Sequence, residues 1–214
     1  ELILAQTLTA FLSNTVLRYC VTIGLYLFFM GIGAFAVERR LSRLPWQTFW
    51  TIEAWLTMIG AVAVPVLFLV DGVGDVRIFL VVSHALICLI GFLTGFELPL
   101  TIELARRDGL PGRNSIFAVD YLGALAGTIV FVLLFYPAIG LIASAWGVAS
   151  LNAVAALVVV IFWRDEFGGQ ARLAGVISAI LFAVTVAGLL TFPVQEKFLM
   201  ELYVESVPLL SVGG

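Results

Sequence analysis

Between Asp120 and Arg164 the chain runs 43 residues without a charged side chain. A helix crosses the roughly 30 Å of bilayer hydrocarbon in about 20 residues, so this run holds two crossings. It is interrupted only by Tyr136–Gly140, the sequence YPAIG, where Pro137 and Gly140 predict a tight, uncharged hairpin. The rest of the chain has the same character. It is 62% hydrophobic and 12% charged, with a mean hydropathy of +1.14, whereas soluble domains carry about a quarter charged residues. Hydrocarbon offers backbone groups no water, so spanning segments of this length are helices. The expected fold is all-α, a polytopic transmembrane helical bundle. The net charge of −3 argues against a nucleic-acid partner.

Six segments are long enough to span: 15–37, 48–70, 76–100, 115–137, 142–163 and 172–192. Ahead of them, ELILAQTLTAFL reads as the tail of a helix whose beginning is absent, a partial first helix. It has no basic n-region or small-residue cleavage site, so it is not a signal peptide, and the chain reads as a fragment. Residues 1–192 are expected to form the bundle. Residues 193–214 are expected to form an amphipathic interfacial tail, with Phe198, Leu199, Leu202 and Tyr203 on one helical face; a linker is the alternative.

The connections set the orientation. Arg39, Arg40, Arg43, Arg106, Arg107, Arg113, Arg164 and Arg172 fall on one set of connections, and only Arg18, Arg77 and Lys197 on the other. Basic residues concentrate on the cytoplasmic side, so connections 38–47, 101–114 and 164–172 are expected inside and the C-terminal tail outside. Trp46, Trp50 and Trp163 then lie at the inner interface, and Tyr19, Tyr136 and Trp146 at the outer one. The expected location is a bacterial inner membrane, with the lipid bilayer and other membrane subunits as partners.

Three acids interrupt apolar sequence. Glu97 lies near the inner end of its span, ahead of Pro99. Asp120 lies five residues into the next span, capped by Ser115, and Glu53 enters its span at similar depth. An ionised carboxylate in hydrocarbon costs about 2.5–3.5 kcal/mol on insertion scales, so each needs a partner. One reading pairs them with Arg39, Arg40, Arg106 or Arg113 as inter-helix polar contacts. The other makes them an inward-facing cation-binding vestibule, with a polyamine as possible ligand, or a proton relay. Gly91/Gly95 and Gly123/Gly127 have the four-residue spacing that lets helices approach closely. His84, the single histidine, is expected to bond a neighbouring helix rather than a haem or pigment. Cys20 and Cys88 read as packing residues. No glycine-rich nucleotide loop, metal-ligand spacing or nucleophile–base pair stands out, so no cofactor, metal or catalytic residue is expected.

GFELPL (95–100), AVDYLGALAGTIVFVLLFYPAIGL (118–141) and ASLNAVAAL (149–157), with LYLFFMGIGAFAVERRL (25–41), resemble the transmembrane domain of bacterial membrane-bound spermidine synthase-like proteins. Glu1 matches an acidic residue late in that family's first helix. The resemblance implies about seven helices joined to a C-terminal aminopropyltransferase domain with a Rossmann-like fold and a GGGDG-type loop. This sequence stops at LLSVGG, before any such loop, so no catalytic residue carries over. The segment GIGAFAVERRLSRLP also resembles, faintly, a cytoplasmic loop of major facilitator transporters. Three expectations follow: a non-catalytic anchor or scaffold subunit of a larger complex, a polyamine or cation transporter-like bundle, or the membrane part of a true spermidine synthase.

Overall fold

The computed structural model describes residues 2–12, 15–37, 45–109 and 112–206. Within them the chain is helical: α1 (Leu2–Leu12), α2 (Thr15–Val37), α3 (Pro45–Asp71), α4 (Val76–Thr94), α5 (Glu97–Arg107), α6 (Arg113–Val130), α7 (Tyr136–Phe162), α8 (Ala171–Leu190) and α9 (Phe192–Ser206). A π-helical turn, Phe131–Phe135, links α6 to α7, and a 3₁₀ segment, Arg164–Gln170, links α7 to α8.

Among the described residues, five helical stretches are long and apolar enough to cross a membrane: Val16–Val37, Pro45–Asp71, Val76–Arg107, Arg113–Phe162 and Arg164–Leu190. The fourth is 50 residues long and is broken at Gly140, where φ is 73° and ψ −172°. A positive φ is cheap only without a Cβ, which is why the break falls on glycine. Past it the chain folds back, and the Phe135 ring lies over Gly147. The uncharged turn is therefore where the sequence places it. The outer surface is apolar on every long helix. Val16, Phe35, Phe162 and Leu190 are each more than 70% exposed, a surface that suits lipid and would be unstable in water.

α3 is the hub and packs against α1, α4, α5, α7, α8 and α9. Beside it α2 and α4 run parallel at close range, and three glycines make that possible. A Cβ on Gly91 would stand 2.6 Å from the Tyr26 carbonyl oxygen, one on Gly33 would overlap the Phe92 backbone, and one on Gly95 would overlap Met30. Gly91 and Gly95 thus pack as their spacing predicts. Gly123 and Gly127 do not: a Cβ on either meets nothing within 4 Å, and α6 buries no residue against the rest of the chain. Identical spacing makes a smooth helix face in both places. Only α4 has a neighbour seated on it.

Three other expectations need correction. The span drawn as 76–100 ends at Thr94, and a separate helix starts at Glu97, so part of the expected 101–114 loop is helical through Arg107. Pro99 explains the restart. It lies in the first turn of α5, where its missing N–H costs nothing, whereas inside a continued α4 it would cost one backbone bond. Next, α6 begins at Arg113, with Gly112 and not Ser115 at its N-cap. Finally, the His84 Nδ1 bonds the Leu80 carbonyl oxygen of its own helix at 2.6 Å and, among the described residues, no hydrogen bond joins it to a neighbouring helix.

The two ends of the bundle are built differently. At one, Trp46 stacks on Trp163 with ring centroids 4.1 Å apart, and the Trp163 indole N–H donates to Asp108 at 2.9 Å. There Gln47 also donates to the Glu166 carbonyl at 3.1 Å. The starts of α3 and the ends of α5 and α7 therefore share an end. At the other, Gln6 donates to the Tyr136 hydroxyl at 3.0 Å and accepts from Tyr19. In the tail, Leu199 of α9 is buried with Val64, Ile142 and Ala145, whereas Phe198 is exposed. The side chains of Leu202 and Tyr203, and residues 207–214, lie outside the described residues.

Candidate functional site: two cavities that share Glu97

Glu53 belongs to the second turn past the Trp46–Trp163 stack, on the face of α3 that packs towards α5. Ile52 and Leu56 on either side of it are buried with Val37 and Leu100, so the backbone there is held in place. The backbone carbonyl of Glu53 accepts from the Thr57 hydroxyl at 2.8 Å. Its carboxylate, by contrast, has no hydrogen-bond or ion-pair partner among the described residues, although Glu53 is only 5% exposed.

Glu97 lies in the first turn of α5, and its carbonyl accepts from the Thr101 hydroxyl at 2.8 Å. Asp120 lies on α6 and is exposed. All three acids line one cavity of about 440 Å³, together with Phe49, Thr101 and Ser115. The juxtaposition expected from the sequence is thus present in the structure.

Glu97 also lines a second cavity of about 250 Å³ in the middle of the bundle, with Leu4, Tyr26, Gly60, Thr94 and Asn152. One carboxylate therefore stands where the two spaces meet. The polar lining of the inner cavity was the part that sequence reading missed. Asn152 is an amide inside a 43-residue run without charge, which was the available signal.

Of the arginines expected as partners, the two that are described, Arg106 and Arg113, are engaged elsewhere. The Arg106 guanidinium pairs with Glu103 at 2.8 Å, and Arg107 also reaches Glu103, at 3.0 Å. Arg113 lies over the Phe117 ring, 5.7 Å from its centroid. Arg39, Arg40 and Arg43 lie outside the described residues. No basic side chain lines either cavity among the described residues, and no three His, Cys, Asp or Glu there are grouped to hold a metal ion. Cys20 and Cys88 are free thiols and line neither cavity.

No protein-family model matches the chain, and no solved structure matches it. Curated relatives do. Polyamine aminopropyltransferase 1 of Streptomyces coelicolor is 30% identical over 88% of this chain and 36% of the relative. The polyamine aminopropyltransferase of Oceanobacillus iheyensis is 33% identical over 80% of this chain and 35% of the relative. Polyamine aminopropyltransferase 2 of Ralstonia nicotianae is 30% identical over 92% of this chain and 39% of the relative. The chain spans little more than a third of the length of these relatives, and over that part it is related to polyamine aminopropyltransferases.

Proposed function

We propose that the chain is a multi-pass inner-membrane module of the spermidine synthase-like kind. Its role is to anchor and scaffold, and these 214 residues transfer no aminopropyl group. In this reading it spans the bilayer six times, with the Gly140 break separating two crossings, and α1 supplies a partial seventh element. One observation carries the reading. Similarity to polyamine aminopropyltransferases extends over 88% of this chain, and that same stretch is a set of long apolar helices with an apolar exterior. Aminopropyl transfer needs a site that binds both donor and acceptor in reacting geometry, and the GGGDG-type loop that the resemblance implies for it is not among these 214 residues.

The test uses the 214-residue chain expressed in bacterial cells. It should stay with the membranes after an alkaline carbonate wash. Once purified, it should form no spermidine from putrescine and decarboxylated S-adenosylmethionine. Release into the wash, or measurable turnover, would overturn the reading.

A further inference from the structure

One basic side chain at the start of α6 has no acid to answer it. The Arg113 guanidinium rests over the Phe117 ring, and among the described residues it forms no ion pair. Stacking on a ring leaves the in-plane N–H donors of a guanidinium unused. α6 also begins at Arg113 without a side-chain cap, so its first-turn amides are open to an acceptor. The described acids nearby do not supply one. Glu103 is held by Arg106 and Arg107 at 2.8 and 3.0 Å, and Asp108 accepts from the Trp163 indole.

Arg113 lines a hollow of about 450 Å³ between α2, α5 and α6, with Gly31, Phe35, Leu98, Ile102 and Glu103. Gly31 and Phe35 also line a groove of about 770 Å³ on α2, whose other walls are Leu27, Phe28, Ile32 and Ala36. The two spaces share those residues and are continuous, one with a cation and the other wholly apolar. Gly31 keeps the junction open, since a Cβ there meets nothing within 4 Å. From Leu27 to Ala36 the helix rises about 14 Å, close to the depth of one leaflet, half of about 30 Å of hydrocarbon.

We propose that this surface binds an anionic phospholipid of the cytoplasmic leaflet, its phosphate on Arg113 and one acyl chain along α2 from Phe35 towards Leu27. A guanidinium meets two phosphate oxygens at once, and basic hollows between helices on the cytoplasmic side suit such head groups. A choline lipid offers the same chain but brings a like charge to an end that already carries Arg106 and Arg107. Free phosphate fills the head position and leaves the groove empty. The inference rests on the membrane-module reading and adds to it a preference for one lipid class.

The experiment is thermal unfolding of the purified chain in detergent micelles at fixed ionic strength. The probe is dioleoylphosphatidylglycerol, with dioleoylphosphatidylcholine and inorganic phosphate as controls. The anionic lipid should raise Tm by about 3 °C, and each control by much less. Arg113→Gln should weaken the lipid's effect about tenfold. Gly31→Leu, which fills the groove from an open position, should do the same without lowering the lipid-free Tm. Arg77→Gln, at the start of α4, should leave the shift intact. An equal shift with the choline lipid or with phosphate would overturn the proposal, as would a shift undiminished in Arg113→Gln and Gly31→Leu. A loss in Arg77→Gln equal to that in Arg113→Gln would also overturn it, by showing attraction to charge in general. A chain released by the carbonate wash that still shows the selective shift would sink the module reading and keep the site. A chain retained in membranes that shows no shift would do the reverse.

Discussion

Gly95→Ala is expected to destabilise the bundle by about 2 kcal/mol, although alanine is the better helix former. In an open helix the exchange stabilises by about 1 kcal/mol. At position 95 the added methyl would overlap the Met30 carbonyl and come within 2.9 Å of the Ala34 amide nitrogen. Both are backbone atoms of α2, so no rotamer change relieves the clash and the two helices must separate. Overpacking costs typically about 1–3 kcal/mol, and the rigid neighbour puts this case at the upper end. Gly33→Ala should behave alike, because its Cβ meets the Phe92 carbonyl. Gly123→Ala and Gly127→Ala carry the opposite sign, a gain of up to about 1 kcal/mol, since nothing lies within 4 Å of either. Denaturation of the four variants in mixed micelles measures the difference. A loss at 123 equal to that at 95 would mean that α6 packs against a partner with its glycine face.

The second large effect is expected at Gly188 on α8. A Cβ there would run into the indole ring of Trp146, and the ring is not free to turn away. Its N–H donates to the Gln195 side-chain oxygen at 2.9 Å. The Gln195 amide nitrogen in turn donates to the Gly188 carbonyl at 3.1 Å and to the Thr191 hydroxyl at 2.9 Å. One glutamine thus ties α7, α8 and the start of α9 together. Gly188→Ala forces the indole out and leaves that glutamine without one of its partners. We expect a loss of about 2 kcal/mol from the clash and the broken bond together. Amide exchange in residues 192–201 should rise with it. Gly24→Ala, with nothing within 4 Å, is the matched control. Unchanged exchange in α9 would show that the Trp146–Gln195 link does not hold the helix.

These two predictions also mark what the sequence made legible. The apolar runs, the break at Gly140 and the close approach at Gly91 and Gly95 are local properties of residue type and spacing, and each is present in the structure. Whether a smooth face has a neighbour is a tertiary matter. The pattern that brings α4 against α2 leaves α6 bare at Gly123 and Gly127. The end of α4 was misplaced because hydropathy continues past Gly95, and the stronger local signal, Pro99, was outweighed. Of the candidate site, the three acids could be named from their cost in an apolar setting. Their counter-ions could not, since Arg106 had Glu103 three residues before it on the same helix. The mid-bundle cavity was invisible because its walls come from α1, α2, α3, α4, α5 and α7 together.

The orientation of the bundle tests the membrane-module account most directly. With Cys20 and Cys88 replaced by alanine, single cysteines are placed at Gly72, between α3 and α4, and at Arg107, at the end of α5. Intact cells are treated with a membrane-impermeant maleimide. The account predicts rapid labelling at 72, and labelling at 107 only after the cells are permeabilised, because the arginine-rich connections face the cytoplasm. Labelling of 107 in intact cells while 72 stays protected would contradict it.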